Sequence, residues 1–575
     1  MRLVIVESPN KTAKIKGFLG PGYQVAASFG HVRDLPINGG LAVGFHDGRV
    51  EPRYVPLEKA SRAIAQLTSL AAKAEEILLA TDPDREGEAI AWHIAQILGR
   101  PCRRVAFHAI TKNAVQAALA KPRDIDQHLV DAQQARRVLD RVVGWLVSPT
   151  LRRLGKEAKS AGRVQSVALR LVADREREIQ AFNKVDYFTL IATFAGPPKF
   201  QAELIRWKGE PLGQRITDPA IAEKTVAWCL KQEWRVLAAK RLEVAKNPPP
   251  PFTTATVQQA ASVKLKLDPA MTMKLLQSLF EAGHITYHRT DSVALEPEAI
   301  AAARAIIARD HPPAYLPAQP VVHGQKNANA QEAHEAIRPT HLEEQPALGG
   351  AEADLYRLIH DRFLACQMAP GRDAVTTLDI ACAPTAHAGG PMGVFQAKGV
   401  VVLFDGWRKL GADATEEAKP KKGKNADEDA PTSKPLPLLE PGSALSPSDL
   451  TGKRKATKPP PRYTQASLIK KLEAEGIGRP STYAAIMKVI LERAYVIEEK
   501  RMLQATELGL SMTDFLVHHF AGDFIERDYT RRMEEALDAV ARGETPWEGL
   551  VTRAAHGVLA KAQAAGLRGN PLVDG

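Results

Sequence analysis

The first 125 residues alternate between short apolar runs and helical segments, and this alternation constrains the fold more than any other feature. The runs "LVIVE" at 3–7, "EEILLA" at 75–80 and "RRVAFHAI" at 103–110 have the character of strands, and a helical stretch follows each. Strands that alternate with helices form a largely parallel sheet. Side chains that bind ligands then gather at the carboxyl ends of the strands. The sequence predicts an α/β domain with its site at that edge.

The rest of the chain is predicted to form several further domains, because 575 residues exceed one hydrophobic core. Strand-rich sequence brackets a helical block, which we interpret as an insertion that can swing on two adjacent hinges. A polar stretch at 411–434 buries too little apolar surface to order itself and is predicted to be a disordered loop. The predicted segments are an α/β domain 1–125, a helical segment 126–183, a strand-rich part 184–247, a helical insertion 248–373, a second strand-rich part 374–458 and a helical C-terminal part 459–575.

Charge and hydropathy narrow the class of partner. Lys and Arg outnumber Asp and Glu by 77 to 66, a net charge of +11 that attracts a polyanion, although an unspecialised basic surface has the same balance. No stretch reaches the ~18 apolar residues of a membrane span, and the apolar run at the N-terminus is too short for a signal peptide. We therefore expect a cytoplasmic protein without membrane contact. The four cysteines form no C-x-x-C pair, so no zinc ribbon is predicted.

An acidic cluster occurs in "LLATDPDREGEAIAW". Asp82 and Asp84 stand two residues apart after a strand, so both side chains project to one side, and Glu86 begins the next helix. Glu7 ends another strand at the same predicted edge, and Lys11 follows one helical turn later. Carboxylates this close repel one another unless a cation lies among them, and all-oxygen donors favour Mg²⁺. The alternative is a set of acidic residues that cap a helix.

A tyrosine and an arginine stand two residues apart in "GHITYHRTDS" at 283–292. A phenol with a pKa near 10 is a poor nucleophile at neutral pH, so Tyr287 would need a neighbour that stabilises charge on oxygen. Arg289 is permanently cationic and can bridge two phosphate oxygens. The alternative is a core tyrosine beside a surface arginine, and this stretch alone does not decide between them.

Eight sequence blocks together carry a family resemblance. "VIVESPNKTAKI", "SFGHVRDLP" and "LATDPDREGEAIAW" resemble the toprim domain of bacterial type IA DNA topoisomerases, in the topoisomerase I branch. "DAQQARRVLDRVVGWLVSP", "SAGRVQSVALRLV", "EAGHITYHRTDS", "AQEAHEAIRPT" and "GIGRPSTYA" continue the resemblance in order, to about residue 545. It implies a multidomain α/β and α+β fold, in which a toprim domain and a type IA core form a toroid around a central hole.

The resemblance implies an isomerase that cuts one DNA strand, passes DNA through the break and reseals it, relaxing negatively supercoiled DNA. Tyr287 would form a 5′-phosphotyrosine and leave a free 3′-hydroxyl, with Arg289 stabilising the transition state. Glu7 and Lys11 would lie beside the scissile phosphate and transfer a proton to the departing oxygen, and His334 would lie near Tyr287. No G-x-x-x-x-G-K-[ST] loop occurs, so no ATP is expected. We expect a monomer.

The resemblance also implies ligand-binding residues. Mg²⁺ would be held by Asp82, Asp84 and Glu86, with Glu7. Arg137, Arg141 and Trp145 recur every four residues on one helix face, where two cations beside an indole can bind phosphates and stack a base. The alternative is a core tryptophan with solvated arginines. The predicted DNA-binding residues are His31, Arg137, Arg141, Trp145, Arg163, Arg479, Ser481 and Thr482.

The sequence departs from the family pattern in two respects, and two other functions are weighed against the leading hypothesis. Trp145 stands where relatives commonly have tyrosine, and the C-terminal zinc ribbons or basic repeats of many relatives are not expected here. The alternative from another class is a toprim-type metal nuclease or a DNA-binding accessory protein. Tyr287 separates the two hypotheses, because a nuclease uses water and forms no covalent complex. A decatenating enzyme of the topoisomerase III branch is disfavoured by "VESPNK" near the start.

Overall fold

The fold was analysed in a computed structural model, which describes residues 1–572 apart from 38–39, 47–48, 156–159, 213–215, 325–333, 385–391 and 412–434. The N-terminal sheet is parallel, in the order β2-β1-β7-β8, and its central strand pairs on both sides. The strands of this region are β1 Arg2–Val6, β2 Tyr23–Ala27, β3 Arg33–Asp34, β4 Val43–His46, β5 Arg49–Pro52, β6 Val55–Pro56, β7 Glu76–Ala80 and β8 Arg103–Arg104. The helices are α1 Pro9–Phe18, α2 Ser61–Ala72, α3 Arg85–Leu98 and α4 Lys112–Leu119.

The local sequence explains this sheet. The apolar run "RLVIV" of β1 is buried on both faces because α1, α3 and the neighbouring strands cover it. Helix α3 begins where the Asp84 side chain accepts the backbone N–H of Gly87, and it ends at Gly99 in the left-handed conformation. The third predicted strand was too long, since β8 has only two residues before the chain leaves the sheet. The predicted alternation and the parallel pairing are confirmed.

The remaining elements form a strand-rich region and two helical regions. The strands are β9 Asp186–Phe194, β10 Phe200–Trp207, β11 Glu210–Pro211, β12 Glu233–Lys246, β13 Gly371–Ala383, β14 Gly393–Phe404, β15 Ala444–Leu445, β16 Pro447–Ala456, β17 Val496–Glu499 and β18 Met502–Ala505. The helices are α5 Gln127–Val147, α6 Arg163–Gln180, α7 Pro219–Cys229, α8 Thr254–Lys264, α9 Pro269–Glu281, α10 Pro297–Asp310, α11 Gly350–Ala365, α12 Gln465–Ala474, α13 Tyr483–Glu492, α14 Glu507–Phe520, α15 Arg527–Ala541 and α16 Trp547–Ala564. Short 3₁₀ helices lie at Glu58–Ala60, Ser148–Leu154, Pro313–Tyr315 and Gly406–Leu410.

A second, antiparallel sheet carries the helical insertion. Its order is β15-β12-β13-β14-β10-β9-β16, with β11 paired to β10. Strand β12 ends at Lys246 and β13 begins at Gly371, and these two residues pair directly. Helices α8 to α11 therefore leave and re-enter the sheet at one point, which is the geometry that two adjacent hinges require. Most of the predicted loop at 411–434 lies outside the described residues.

Two hydrophobic cores hold the helical regions. Helices α5 and α6 pack with α12 to α16 around one core, although those two groups lie about 300 positions apart in the chain. The expectation of a purely helical C-terminal part was wrong in one detail, because β17 and β18 form a hairpin there. A second core joins the N-terminal sheet to the insertion, with Val6 and Leu78 on one side and Leu276 and Phe280 on the other. None of the helices within the described ranges combines the length and apolarity needed to cross a membrane.

Candidate active site

The loop that follows α9 brings Tyr287 to the carboxyl edge of the N-terminal sheet. Gly283 turns the chain there with φ +70, and a Cβ at that position would meet the carbonyl oxygen of Ile110 at 2.5 Å. The Tyr287 N–H donates to the His108 carbonyl at 2.8 Å, and its hydroxyl donates to Asp84 Oδ2 at 2.7 Å. The nucleophile predicted from the insertion and an acid predicted from the sheet are thus in direct contact.

The Tyr287–Asp84 pair is polarised toward a protonated phenol and an ionised acid. Burial and the charges of Asp84 and Asp82 raise the pKa of Tyr287 well above 10. Burial alone would raise the pKa of Asp84, but the Arg289 charge and the Tyr287 hydrogen bond lower it overall. Arg289 Nη1 lies 3.6 Å from Asp84 Oδ2. In this conformation the phenol keeps its proton, so attack on a phosphate requires that an acceptor take this proton as the new bond forms.

The other two predicted proton-transfer residues lie beside this pair. Lys11 forms a buried ion pair with Asp82, and its ammonium lies over the ring of Phe280, 5.1 Å from the centroid. Burial, and then the charge of Asp82, raise the pKa of Glu7 to about 7. A carboxyl group with a pKa near neutrality can both hold and release a proton under physiological conditions.

The fourth acid and the predicted histidines occupy the same edge. Glu86 accepts a hydrogen bond from His31, and this bond lowers the pKa of Glu86 against the effect of burial. The ring of His334 lies 5.6 Å from that of Tyr287, and burial lowers the pKa of this histidine. His288 is also buried, with its ring 5.4 Å from Tyr287. We did not predict His288, and its position next to Tyr287 in the sequence was the only available signal.

The four acids fit a hard divalent cation in donor chemistry, since all offer carboxylate oxygens at one sheet edge. In the conformation described, however, Asp82 is paired with Lys11, Asp84 with Tyr287, and Glu86 with His31. Accordingly, no three acidic, His or Cys side chains within the described ranges converge on a common point where they could ligate one ion. The fold thus brings the predicted metal ligands together, but three of them are hydrogen-bonded or ion-paired to other side chains in this conformation.

Two of the arginines that we predicted to bind DNA instead hold a loop of the N-terminal domain. Arg137 forms two hydrogen bonds with Asp34, both 2.8 Å long. Arg141 donates to the backbone carbonyls of Leu35 and Pro36. Each of the two guanidinium groups thus makes two hydrogen bonds to protein acceptors. Trp145, the third residue of this face, packs partly buried against the core of the helical region.

The remaining residues that we predicted to contact DNA differ in exposure and in their protein partners. Arg163 is only 2% exposed and pairs with Glu534 at 2.8 Å, so its guanidinium group faces a protein carboxylate, and the phosphate contact stays a prediction. Arg479 is paired with Asp538. Thr482 occupies the N-cap position of α13 but its side chain makes no capping hydrogen bond, and its hydroxyl instead accepts the Arg479 N–H at 2.9 Å. Ser481 is exposed at the same helix start, where free backbone N–H groups attract anions.

Comparison with known proteins decides the family. Residues 124–552 match the DNA topoisomerase family, and residues 2–110 match the toprim domain. The chain belongs to the bacterial type IA DNA topoisomerases of the topoisomerase I branch. The topoisomerase is 42% identical to DNA topoisomerase 1 of Zymomonas mobilis over 95% of its own length, but it spans only 45% of that relative. It is 41% identical to the plasmid DNA topoisomerase I of Xylella fastidiosa, with 96% of the chain and 82% of the relative covered.

A solved structure agrees with this assignment. The full-length topoisomerase I of Thermotoga maritima superposes with a TM-score of 0.82 at 33% identity, and the match covers 98% of this topoisomerase and 91% of that chain. The predicted multidomain α/β and α+β fold is therefore confirmed.

A groove of about 520 Å³ opens beside the active site of the topoisomerase. One wall belongs to the toprim domain and the other to α9 and the tyrosine loop of the insertion. The residues that line the groove are Glu7, Ser8, Pro9, Phe29 and Gly30 on the toprim side, and Met273, Lys274, Gln277, Glu281, His288 and Arg289 on the insertion side.

Replacing Arg289 is expected to slow DNA cleavage by this topoisomerase. Arg289→Gln removes a cation 3.6 Å from Asp84, the hydrogen-bond partner of the predicted nucleophile Tyr287, and should reduce the single-turnover cleavage rate of a single-stranded oligonucleotide roughly 100-fold. Arg289→Lys keeps the positive charge but cannot donate two parallel hydrogen bonds to a phosphate. Its cleavage rate should therefore fall less than that of Arg289→Gln. Arg309→Gln is the matched control, because Arg309 lies exposed on the same insertion and pairs with Asp310. Cleavage at the wild-type rate by Arg289→Gln would contradict this role.

Proposed function

We propose that this topoisomerase cleaves one DNA strand by attack of Tyr287 on a phosphodiester, passes DNA through the gap and reseals it, relaxing negatively supercoiled DNA without ATP. The observation that carries the proposal is the contact between the Tyr287 hydroxyl, which belongs to the insertion, and Asp84 at the edge of the toprim sheet. A tyrosine that only filled the core would not need to reach an ionised acid 203 residues away in the chain. We also propose that the enzyme is a monomer and that it acts on DNA in the cytoplasm.

The chemistry is an exchange of one phosphodiester for another. A bond forms between the Tyr287 oxygen and phosphorus, and the bond from phosphorus to the 3′-oxygen breaks. The phenolic proton leaves as the first bond forms, and Asp84 is the acceptor already in contact with it. The departing 3′-oxygen gains a proton, which Glu7 can donate because its pKa lies about 7. Since the phosphotyrosine conserves the bond energy, resealing reverses these steps and needs no ATP.

Positive charge at the site comes from two cationic side chains and, in this proposal, from a bound metal ion. Arg289 is a cation whose charge opposes the effect of burial on the pKa of Tyr287, and the buried Lys11 neutralises Asp82 at the same edge. We propose that Glu7, Asp82, Asp84 and Glu86 hold Mg²⁺, which when bound supplies positive charge that positions the 3′ end for rejoining. For the metal ion to bind, the contacts of Lys11 with Asp82, of Tyr287 with Asp84 and of His31 with Glu86 have to break.

Strand passage requires the insertion to move away from the toprim domain. The paired ends of β12 and β13 place both connections of the insertion at one point, so a rotation there would separate Tyr287 from Asp84. The motion would break the core in which Leu276 and Phe280 pack against Val6 and Leu78. The buried apolar contacts therefore favour the closed state, and we propose that bound DNA lowers the cost of opening.

The proposal is tested by the chemistry of the cleaved ends. A single-stranded oligonucleotide is labelled at either end, incubated with the topoisomerase without ATP and run on a denaturing gel. The 3′-labelled fragment should migrate with the protein, because its 5′-phosphate is bonded to Tyr287. The 5′-labelled fragment should run free and be extendable by a polymerase, since it ends in a 3′-hydroxyl. Two free fragments with no attached protein would overturn the proposal and favour a nuclease.

A further inference from the structure

Phe29 combines two unfavourable features at the mouth of the active-site groove. Its aromatic ring is 63% exposed, and its backbone adopts a left-handed conformation with φ 60. Large aromatic side chains gain most from burial, and non-glycine residues at positive φ are strained. Strained residues that persist are concentrated at binding and catalytic sites. An exposed aromatic ring on a strained backbone is a combination expected of a side chain that contacts a bound ligand.

The Phe29 turn is fixed to the strand end that carries Glu7. The Ser28 N–H donates to the Val6 carbonyl at 2.9 Å, and the Gly30 N–H donates to the Glu7 carbonyl at 3.1 Å. The Ser28 hydroxyl donates to the Gly30 carbonyl at 3.0 Å, which closes the turn. Phe29 and Glu7 therefore belong to one rigid unit on the toprim side of the groove.

The opposite wall of the groove supplies polar and cationic groups. Lys274 and Gln277 lie on α9, and Arg289 lies on the tyrosine loop, so this wall can bind a phosphate while Phe29 offers an apolar face. An aromatic platform opposite cations is the arrangement by which proteins bind single-stranded nucleic acid, because every base has a π-face to stack. The volume of about 520 Å³ is sufficient for a nucleotide.

We propose that Phe29 stacks on the base of the nucleotide whose 3′-oxygen departs during cleavage. This assignment rests on the proposed function, in which Glu7 lies beside that oxygen, and the turn of Phe29 is hydrogen-bonded to the strand end that carries Glu7. After cleavage this DNA end has no covalent bond to the enzyme. Stacking on the toprim domain holds it in place while the insertion carries the phosphotyrosine end away, and it returns the 3′-hydroxyl to the correct position for resealing.

The test measures how resealing depends on that base. Two single-stranded oligonucleotides carry either a normal base or an abasic sugar immediately 5′ of the cut, and resealing is started by adding salt to the covalent complex. With wild-type enzyme, loss of the base should slow resealing roughly tenfold, the size expected for one base on one aromatic ring. The Phe29→Ala enzyme should reseal the normal oligonucleotide at the slow rate that the wild type shows on the abasic one. Its rate on the abasic oligonucleotide should equal that of the wild type. Phe29→Trp should restore the dependence on the base.

The control and the contrary outcomes separate stacking from structure. Ile37→Ala removes another apolar side chain of the same segment, 85% exposed and outside the groove, and should retain the full dependence on the base. A Phe29→Ala enzyme that remains as sensitive to the abasic sugar as wild type would overturn the proposal, as would an equal slowing on both oligonucleotides. Absence of any covalent complex in the wild-type enzyme would instead overturn the proposed function itself.

Discussion

Tyr287→Phe is expected to form no covalent complex with DNA and to lose relaxation activity by a factor on the order of 10⁴ or more, because the variant lacks the nucleophilic oxygen. The ring itself should stay in place, since it packs against Phe280 and His334 and the backbone N–H still donates to the His108 carbonyl. Asp84 keeps the Gly87 N–H as a donor. DNA binding and thermal stability should therefore remain close to those of the wild type.

A matched control lies in the same insertion. The Tyr315 hydroxyl also donates to an aspartate, Asp405 Oδ1, at 2.7 Å, but far from the acidic edge of the toprim sheet. Tyr315→Phe removes the same atom from the same kind of hydrogen bond and should cleave DNA at the wild-type rate. Oligonucleotide cleavage on denaturing gels and plasmid relaxation measure both variants. A protein–DNA adduct formed by Tyr287→Phe would show that another residue is the nucleophile.

The sequence alone was sufficient to predict those features of the fold that depend on residues close together in the chain. The parallel sheet followed from apolar runs alternating with helices, and Asp82 and Asp84 were placed on one side by their spacing along an extended backbone. The paired strand ends at Lys246 and Gly371 agree with the expectation of an insertion on two adjacent hinges. In each case the structural feature depends on a few neighbouring residues or on the order of segments. A single sequence is therefore enough to predict it.

The protein partners of the arginines were not predictable, because each partner is distant in the sequence. Asp34 is 103 residues from Arg137, and Glu534 is 371 residues from Arg163. An arginine on a helix face has the same sequence pattern whether it binds a phosphate or a carboxylate. The pattern identifies the charge, whereas the fold decides which anion neutralises it. The sequence therefore predicted the basic helix face but not the internal ion pairs that its arginines form, and the DNA contacts stay a prediction.

The Glu534 cluster shows how strongly these distant pairs hold the enzyme together. Glu534 on α15 is fully buried and pairs with Arg136 of α5 and with Arg163 of α6. One turn further along α15, Asp538 accepts a hydrogen bond from Arg85 of the toprim helix α3 at 2.9 Å. Two carboxylates on one helix thus connect the toprim domain with both halves of the helical region.

Glu534→Gln is expected to lower the free energy of unfolding of the α5–α6–α15 region by about 3–5 kcal/mol, because it leaves buried arginines without their counter-charge. Glutamine has nearly the same size, so the effect reports lost charge and not a cavity. Urea unfolding of the transition that involves these helices, together with hydrogen exchange of the amides in α5 and α15, measures the change. The matched control is Glu535→Gln, whose partner Arg531 lies 2.8 Å away at a part-exposed position. That substitution should cost less than about 1 kcal/mol.

The dependence on pH distinguishes lost charge from a packing defect. Burial opposes ionisation of Glu534, but the charges of Arg136 and Arg163 lower its pKa far below the ordinary 4.5. A carboxyl group whose pKa is depressed by folding stabilises the protein fully above its unfolded pKa and loses that contribution as the pH falls further. The stability gap between wild type and Glu534→Gln should thus be constant from pH 8 to 6 and should narrow steadily below about pH 4.5. A gap that stays the same down to pH 3 would mean that glutamine disturbs the packing and that the charge of Glu534 contributes little.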